Sequence, residues 1–270
     1  RRQRQMCIRD SIKLALLFFI FFHSNAFSND QFNFDVTELE ITDNGNTVKG
    51  LKRGTILTDD GIKFDADEFI YDKLLNIFNA SGNINIFDEI QNIRIYSDNA
   101  TYLKNKQEIF TQGNSKVIDL NNNITINADN FAYDKLLNIF NANGNVKIHG
   151  KVKNIIIYSD DATYLKNKQK IFTQGNSKAI NLDDDITIKA NNFDYDKVLN
   201  VLNAFINVEI RDPKQNFELN TDEITYYKNE EKIFTKGVTT GLLEKKYNFN
   251  SCLLYTSDAA DEEDSVDLGG

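Results

Sequence analysis

The chain has 270 residues with 31 basic and 40 acidic side chains, so its formal net charge is −9. A chain this acidic lacks the positive surface that nucleic-acid binding needs, and we expect no nucleic-acid partner. Two histidines and two cysteines also leave little material for metal or thiol chemistry.

Both ends of the sequence are predicted to be sequencing artefact. Residues 1–11 are RRQRQMCIRDS and residues 252–262 are CLLYTSDAADE. The two segments can be encoded by opposite strands of one oligonucleotide, and they resemble a transposon sequencing adapter. We therefore expect residues 1–11 and 252–270 to lie outside the natural protein. These ends hold both cysteines, the single methionine, four basic and seven acidic residues, which leaves a net charge of −6.

Residues 12–28 have the order of a secretory signal peptide. Lys13 precedes an apolar run from Leu14 to Phe22, and small or polar residues follow as far as Ser28. Nine apolar residues are too few to span a bilayer, which needs about 20. A buried strand or an uncleaved anchor is the alternative. We expect the mature protein to begin near Asn29, outside the cytoplasm.

The rest of the sequence is built from 31-residue repeats. A tyrosine recurs at this interval as Tyr71, Tyr102, Tyr133, Tyr164, Tyr195 and Tyr226. In the second unit Ile93 and Ile95 precede the tyrosine and are two residues apart, so they share one face of a strand. The next apolar residue, Ala100, breaks this period, which predicts a bulge at the recurring aspartate, here Asp98. We expect that aspartate to bond its own backbone.

A second strand follows each tyrosine after a polar turn. In the first unit Lys73 stands in the predicted outer corner, and Phe78, Ala80, Ile84 and Ile86 then alternate with polar residues. Each unit therefore predicts two strands of about ten residues. Because the spacing admits no insertions, we expect an all-β fold in which antiparallel strands stack rung upon rung, as in a solenoid.

Alternate units differ in the bulk of this second strand. Bulky pairs stand at Ile84/Ile86, Val146/Ile148 and Val208/Ile210, and slim pairs stand at Ser115/Val117, Ser177/Ala179 and Thr239/Gly241. The decapeptide YDKLLNIFNA follows the same double step of 62 residues, at 71–80 and 133–142. We expect a folded sheet whose two walls are unequally lined.

Catalysis and metal binding find little support in these repeats. His149 is the one histidine outside the predicted leader, and no nucleophile elbow or phosphate loop is present. Residues 183–185 are three aspartates without EF-hand spacing or glycine, so a solvated turn is a better interpretation than a calcium loop. A ladder of metal sites along the recurring aspartates is likewise less favoured than backbone capping. We expect a non-catalytic protein with no cofactor and no metal.

Two motifs recur together: A-D-x-x-x-Y-D-K, and a following Gly-Asn strand such as NASGNINI at 79–86 and NANGNVKI at 141–148. The pattern resembles the OstA-type periplasmic domain of lipopolysaccharide transport, a family that includes LptA and the N-terminal domain of LptD. The opening FNFDVTELEITDNGNTVKGLKRGTI at 32–56 is most similar to LptD, with LptA next. The resemblance covers nearly all of residues 32–251.

This resemblance implies an open β-jelly roll, or β-taco, whose apolar interior shields the acyl chains of lipopolysaccharide. Exposing a chain of roughly a dozen carbons to water costs on the order of 10 kcal/mol, so a continuous trough lowers that barrier. The candidate groove residues are the inward apolar ones: Phe78, Ile84, Ile86, Ile95, Ile126, Phe140, Val146, Ile148, Ile157, Ile188, Val208 and Ile210. The alternative is a dry core with no room for lipid.

The resemblance also implies partners and a location. The expected partners are lipopolysaccharide, a neighbouring Lpt bridge protein that adds a strand to an exposed sheet edge, and an LptE-like lipoprotein if an outer-membrane barrel follows. The expected location is the periplasm, attached to the outer membrane for an LptD. The segment KKYNFNS at 245–251 begins another unit, so we expect the domain at 29–251 to be truncated, which favours LptD over LptA. A secreted structural or adhesive β-solenoid is the alternative from another class.

Overall fold

The computed structural model describes residues 32–150, 154–251 and 254–256. The chain divides into two compact units, Arg1–Asn33 and Phe34–Gly270, and the fold concerns the second. The predicted leader lies outside the described residues, as do the predicted artefact ends apart from 254–256. No helix among the described residues is long and apolar enough to cross a membrane.

The described residues form 20 strands and two short 3-10 turns, Asp43–Gly45 and Lys166–Lys168. The strands are β1 (Phe32–Val36), β2 (Leu39–Thr42), β3 (Thr47–Gly50), β4 (Gly54–Thr58), β5 (Ile62–Ala66), β6 (Glu68–Asp72), β7 (Ile77–Asp88), β8 (Ile93–Leu103), β9 (Glu108–Asp119), β10 (Ile124–Asp134), β11 (Ile139–Gly150), β12 (Ile155–Leu165), β13 (Lys170–Asn181), β14 (Thr187–Asp196), β15 (Val201–Asp212), β16 (Phe217–Tyr227), β17 (Lys232–Lys236), β18 (Thr239–Leu243), β19 (Tyr247–Ser251) and β20 (Tyr255–Thr256).

These strands belong to one antiparallel sheet. From β7 to β16 each strand pairs with the next one in the chain, since only short turns separate them. Near either end a long strand is replaced by two short ones: β5 and β6 both pair with β7, and β17 and β18 both pair with β16. The predicted all-β fold of stacked antiparallel strands in 31-residue repeats is confirmed.

Each long strand is bent in its middle, which folds the sheet into two walls. In β8 the register shifts between Tyr96 and Asn99, and the buried positions change from Ile93 and Ile95 to Ala100. This is the predicted change of face. We call the half of the sheet that contains Ile95 the first wall, the half that contains Ala100 the second wall, and the line of bends the fold line.

The turns opposite the fold line are held by side chains and by left-handed residues. Asn138 has φ 56°, a conformation that asparagine tolerates better than most residues. Asp134 Oδ1 accepts a hydrogen bond from the Leu137 backbone N–H at 2.8 Å, which closes the same turn. We call the gap between the turns of the two walls the mouth.

The structure confirms the predicted outer polar corner in the first unit, where Lys73 is exposed, and corrects it in later units. Tyr133 and Tyr164 are 1% exposed, and the lysines Lys135 and Lys166 are 6% and 7% exposed. These side chains point into the mouth. A buried phenol or ammonium group needs a hydrogen-bond partner, and in the mouth the opposite wall can supply one. The predicted turn between the two strands of each unit is confirmed.

Candidate functional site

The apolar interior between the walls is the candidate site. The twelve predicted groove residues all face it, and none is more than 3% exposed. Phe78 and Phe140 come from the second wall, and the other ten come from the first. Contact with lipid remains a prediction for each of them.

Aromatic rings fill part of this interior. Phe140 stacks on Tyr133 with ring centroids 4.1 Å apart, and its centroid lies 6.1 Å from that of Tyr164. Phe64 of the first wall lies 4.8 Å from Phe78 of the second, so the two walls are in direct contact here. Such aromatic pairs contribute about 1 kcal/mol each beyond the area that they bury.

An open cleft of about 550 Å³, lined by both apolar and charged side chains, lies at the C-terminal end of the described sheet. Ile210 and Phe217 contribute apolar surface to it, and Asp212 and Lys214 contribute charge. Phe249 packs over Gly241, where an added Cβ would lie 2.0 Å from the ring.

A recurring contact at the fold line, which we call the clasp, joins an aspartate to a Gly-Asn pair on the next strand. Asp129 Oδ2 accepts a hydrogen bond from Asn145 Nδ2 at 2.9 Å. The intervening Gly144 has φ +78°, and a Cβ there would lie 2.4 Å from the carboxylate. Equivalent clasps are Asp67 with Gly82/Asn83, Asp98 with Gly113/Asn114, and Asp160 with Gly175/Asn176.

The clasp corrects the prediction that the aspartate bonds its own backbone. A bulge separates the strands locally, which leaves room for a side-chain bond to the neighbouring strand. The sequence contains a pattern that could predict this contact, because glycine and asparagine recur 15 and 16 residues after the aspartate. Among the described residues no group of three or more histidine, cysteine, aspartate or glutamate side chains could hold a metal ion.

The slim units carry buried hydroxyl pairs at the fold line. Ser159 Oγ lies 3.2 Å from Ser177 Oγ and donates towards the carbonyls of Gln174 and Gly175 at 3.0 and 2.9 Å. A bulge frees such carbonyls from the sheet, and a buried carbonyl needs a donor. The 62-residue alternation therefore places hydroxyl pairs at the fold line in one unit and buried apolar residues, such as Ala128 and Val146, in the next.

Tyrosines tie the walls together across the mouth. Tyr164 of the second wall donates to Asp119 Oδ2 of the first at 2.8 Å, and Tyr133 donates to Asp88 Oδ2 at 3.3 Å. Both aspartates are 1% exposed. The partners are 45 residues apart in the chain, so these ties depend on the fold and cannot be recognised within one repeat.

Lysines add a second set of ties. Lys135 Nζ donates to Asp60 Oδ2 at 2.9 Å, Lys197 Nζ donates to the Asn122 carbonyl at 2.5 Å, and Lys228 Nζ donates to Asn181 Oδ1 at 3.0 Å. Each lysine follows a second-wall strand, and each acceptor lies at the mouth end of the first wall. The mouth is closed by hydrogen bonds and ion pairs, without a continuous backbone connection.

The environment keeps the tyrosine phenols protonated, as their hydrogen bonds across the mouth require. Burial raises the pKa of the Tyr133 and Tyr164 phenols, and the charges of Asp88 and Asp119 raise it further. Burial and Asp184 raise the pKa of Tyr226 to about 12. At neutral pH the phenols therefore remain donors.

No family model matches the chain, and no curated protein sequence matches it. Among solved structures 18 chains match. One is the crystal structure of LptH, the LptA homologous periplasmic component of the conserved lipopolysaccharide transport device from Pseudomonas aeruginosa. The likeness covers 42% of this chain and 81% of that chain, at 15% identity and a TM-score of 0.38. These values do not show membership of a family, so function has to follow from the chain's own residues.

Proposed function

We propose that the folded sheet shields the acyl chains of lipopolysaccharide in the periplasm, as a non-catalytic transport protein. The observation that carries this proposal is the apolar interior, to which both walls contribute buried apolar residues in every unit. Movement along such an interior needs continuous apolar columns and no specific residue. This matches what the OstA-type resemblance implies.

The interior is packed, so lipid has to part the walls. A hydrogen bond at the mouth contributes about 1 kcal/mol net, whereas a dozen buried CH₂ groups contribute on the order of 10 kcal/mol. The free energy gained by burying one acyl chain therefore exceeds the free energy lost when a few of these hydrogen bonds break.

The finer assignment is the N-terminal domain of an LptD-like protein attached to the outer membrane, with an LptA-like bridge protein as the second candidate. The similarity of residues 32–56 to LptD supports it. The gene beyond Ser251 distinguishes the two. Strands of about ten residues with aromatic girdles support LptD, an end within about one unit supports LptA, and many further 31-residue units support a solenoid.

Strand edges offer the docking surface for a neighbouring Lpt bridge protein. β2 pairs with β3 and has no second pairing among the described strands. Leu39 and Ile41 of β2 are 44% and 58% exposed. An added strand would satisfy the free backbone groups and cover these side chains. An LptE-like partner is expected only for an LptD.

Photocrosslinking tests the proposed function. A photoreactive residue at Ile84 or Val146 is expected to form an adduct with lipopolysaccharide, because both side chains face the interior. The matched controls are Asn85 and Lys147, which follow them in the chain and face outward. Absence of adducts at every inward position, in protein that remains folded, contradicts the proposal and supports the dry solenoid.

A further inference from the structure

The second-wall turns at the mouth alternate in character along the sheet. Every other turn carries two adjacent aliphatic side chains that are 61–73% exposed. We call these three pairs the aliphatic tips: Leu74/Leu75, Leu136/Leu137 and Val198/Leu199. The turns between them carry Asn105/Lys106 and Asn167/Lys168 at the same positions. Neighbouring tips are four strands apart, which is about 19 Å along the sheet.

The geometry of the turns does not require these aliphatic residues. In the middle tip the turn is closed by Asp134, which accepts the Leu137 backbone N–H, and by Asn138 with its left-handed backbone. In the next turn Gln169 is left-handed with φ 51°, and Lys168 has the position that Leu137 has in the tip. Exposed apolar pairs that recur without a role in folding indicate an interaction surface.

Exposed lysines lie beside the tips. Lys73 belongs to the turn of the first tip, and Lys106 and Lys168 belong to the turns between the tips. All three are exposed, and none forms an ion pair with another described residue. Lys135, in contrast, is buried and paired with Asp60 across the mouth. The charges of the three exposed lysines are therefore available to an external anion.

The acidic residues of these turns do not cancel that charge pattern. Asp72, Asp134 and Asp196 each accept hydrogen bonds from the backbone of their own turn. Glu230 and Glu231 lie in the turn after the last tip, where no aliphatic pair is present. Apolar side chains beside cations therefore extend along this edge from residue 73 to residue 199. Such a combination is typical of surfaces that lie on an anionic bilayer.

We propose that the aliphatic tips bind the surface of a bilayer that contains anionic phospholipid. The tip side chains enter the boundary between head groups and acyl chains, and Lys73, Lys106 and Lys168 contact the phosphates. A bilayer is a uniform surface that can accept identical apolar pairs at any spacing, whereas a folded partner would need recesses with the same repeat. This inference goes beyond the proposed function, which concerns the interior, and neither requires the other.

Tryptophan fluorescence tests the position of the tips, because the chain has no tryptophan of its own. Leu136→Trp reports on the middle tip. Val238→Trp is the matched control, since Leu136 and Val238 are 66% and 71% exposed but Val238 lies at the fold line, on the other margin of the sheet. The probe is a phosphatidylcholine vesicle that contains about one third phosphatidylglycerol.

We expect the emission of Leu136→Trp to shift to the blue by about 10 nm when vesicles are added. The emission of Val238→Trp is expected to stay unchanged. Equal shifts in the two variants, or no shift in Leu136→Trp, overturn the proposal.

Sedimentation with the same vesicles measures the contribution of one tip. Leu136→Asn combined with Leu137→Gln removes the middle tip, and the turn is expected to persist because Asn167 and Lys168 occupy these positions in the next turn. We expect the apparent Kd for vesicles to rise about tenfold, with the urea midpoint unchanged. Val238→Asn is the control and should leave the Kd within about twofold. An unchanged Kd in the folded double variant overturns the proposal.

Lysine variants test the requirement for anionic lipid. Lys106→Gln combined with Lys168→Gln is expected to weaken binding to the anionic vesicles about tenfold. Lys236→Gln is the control, since Lys236 pairs with Glu223 near the fold line, and it should change the Kd less than about twofold. Equal binding of the unchanged chain to pure phosphatidylcholine and to anionic vesicles overturns the proposal.

Two further arms identify other occupants of the tips. A blue shift of Leu136→Trp that grows with protein concentration in the absence of vesicles would mean that a second copy covers the tips. A shift with lipopolysaccharide aggregates and none with phospholipid vesicles would mean that the tips belong to the transport path. Either result overturns the bilayer proposal. Adducts at Ile84 and Val146 test the proposed function separately, so failure of one proposal is distinguishable from failure of the other.

Discussion

The fold line and the mouth are the two margins of the folded sheet, and they are held in different ways. At the fold line the same clasp of aspartate, glycine and asparagine recurs, as at Asp129, Gly144 and Asn145. At the mouth the ties vary between a phenol on a carboxylate and an ammonium group on a carbonyl. A bend in the backbone admits few residue types, whereas a gap between side chains can be closed in several ways.

The largest expected effect concerns the mouth and comes from alkaline pH. The pKa of each buried phenol is raised in the folded state, so the stabilisation is complete below about pH 10 and is lost as the pH rises through the folded values, about 12 for Tyr226. Each such tyrosine lowers the free energy of unfolding by about 1.4 kcal/mol per pH unit across this interval. We expect cooperative unfolding between pH 10 and 12, recorded by far-ultraviolet circular dichroism together with phenolate absorbance.

A free energy of unfolding that stays constant between pH 10 and 12 would contradict this picture of the mouth. Tyr226→Phe removes one ionising group from the interior and is expected to flatten the loss of stability above pH 10.

The next largest effect concerns the fold line. Gly144→Ala forces a side chain into the left-handed region and to within 2.4 Å of the Asp129 carboxylate. We expect the free energy of unfolding to fall by about 3 kcal/mol, from backbone strain together with the displaced clasp. Urea denaturation measures it.

Two other glycines separate the causes of that loss. Gly45→Ala has a positive φ of 91° but open space, so strain alone should cost about 1 kcal/mol. Gly150→Ala has neither feature and should be near neutral. Equal losses at Gly144 and Gly150 would mean that the clasp does not specify the bend.

The smallest effect compares two units at the mouth. Tyr133→Phe removes a donor from the buried Asp88 and is expected to cost about 2 kcal/mol. Tyr195→Phe removes a bond to Asn200, which keeps its contact with Asn229, and is expected to cost less than about 1 kcal/mol. Urea titrations of both variants give the difference, and equal costs would remove the distinction between the tied and untied units.

Much of the fold could be predicted from local periodicity. The step from Ile93 and Ile95 to Ala100 indicates both the strand and its bend, because the side chains of a strand alternate between faces. The apolar residues at equivalent positions of the repeats also predict which side chains face the interior. The apolar candidates are buried in the interior, and their contact with lipid stays a prediction.

The ties across the mouth could not be predicted in this way. Tyr133 contacts Asp88, which is 45 residues earlier in the chain, because the two walls are offset relative to each other. The sequence of a single 31-residue repeat does not reveal that offset. Lys135 stands at the position that Lys73 has in the predicted outer corner, but it is buried, and lysine is seldom buried without a partner. Its partner, Asp60, is 75 residues earlier in the chain.

The 62-residue alternation makes the length of the molecule adjustable in fixed steps. Residues 71–132 and 133–194 share ATYLKNKQ and IFTQGNSK at equivalent positions, as expected of a duplicated block. Each block contributes four strands, and neighbouring strands lie about 4.8 Å apart, so one duplication lengthens the sheet by about 19 Å. Gene duplication can thus change the length of the sheet in steps of one 62-residue block.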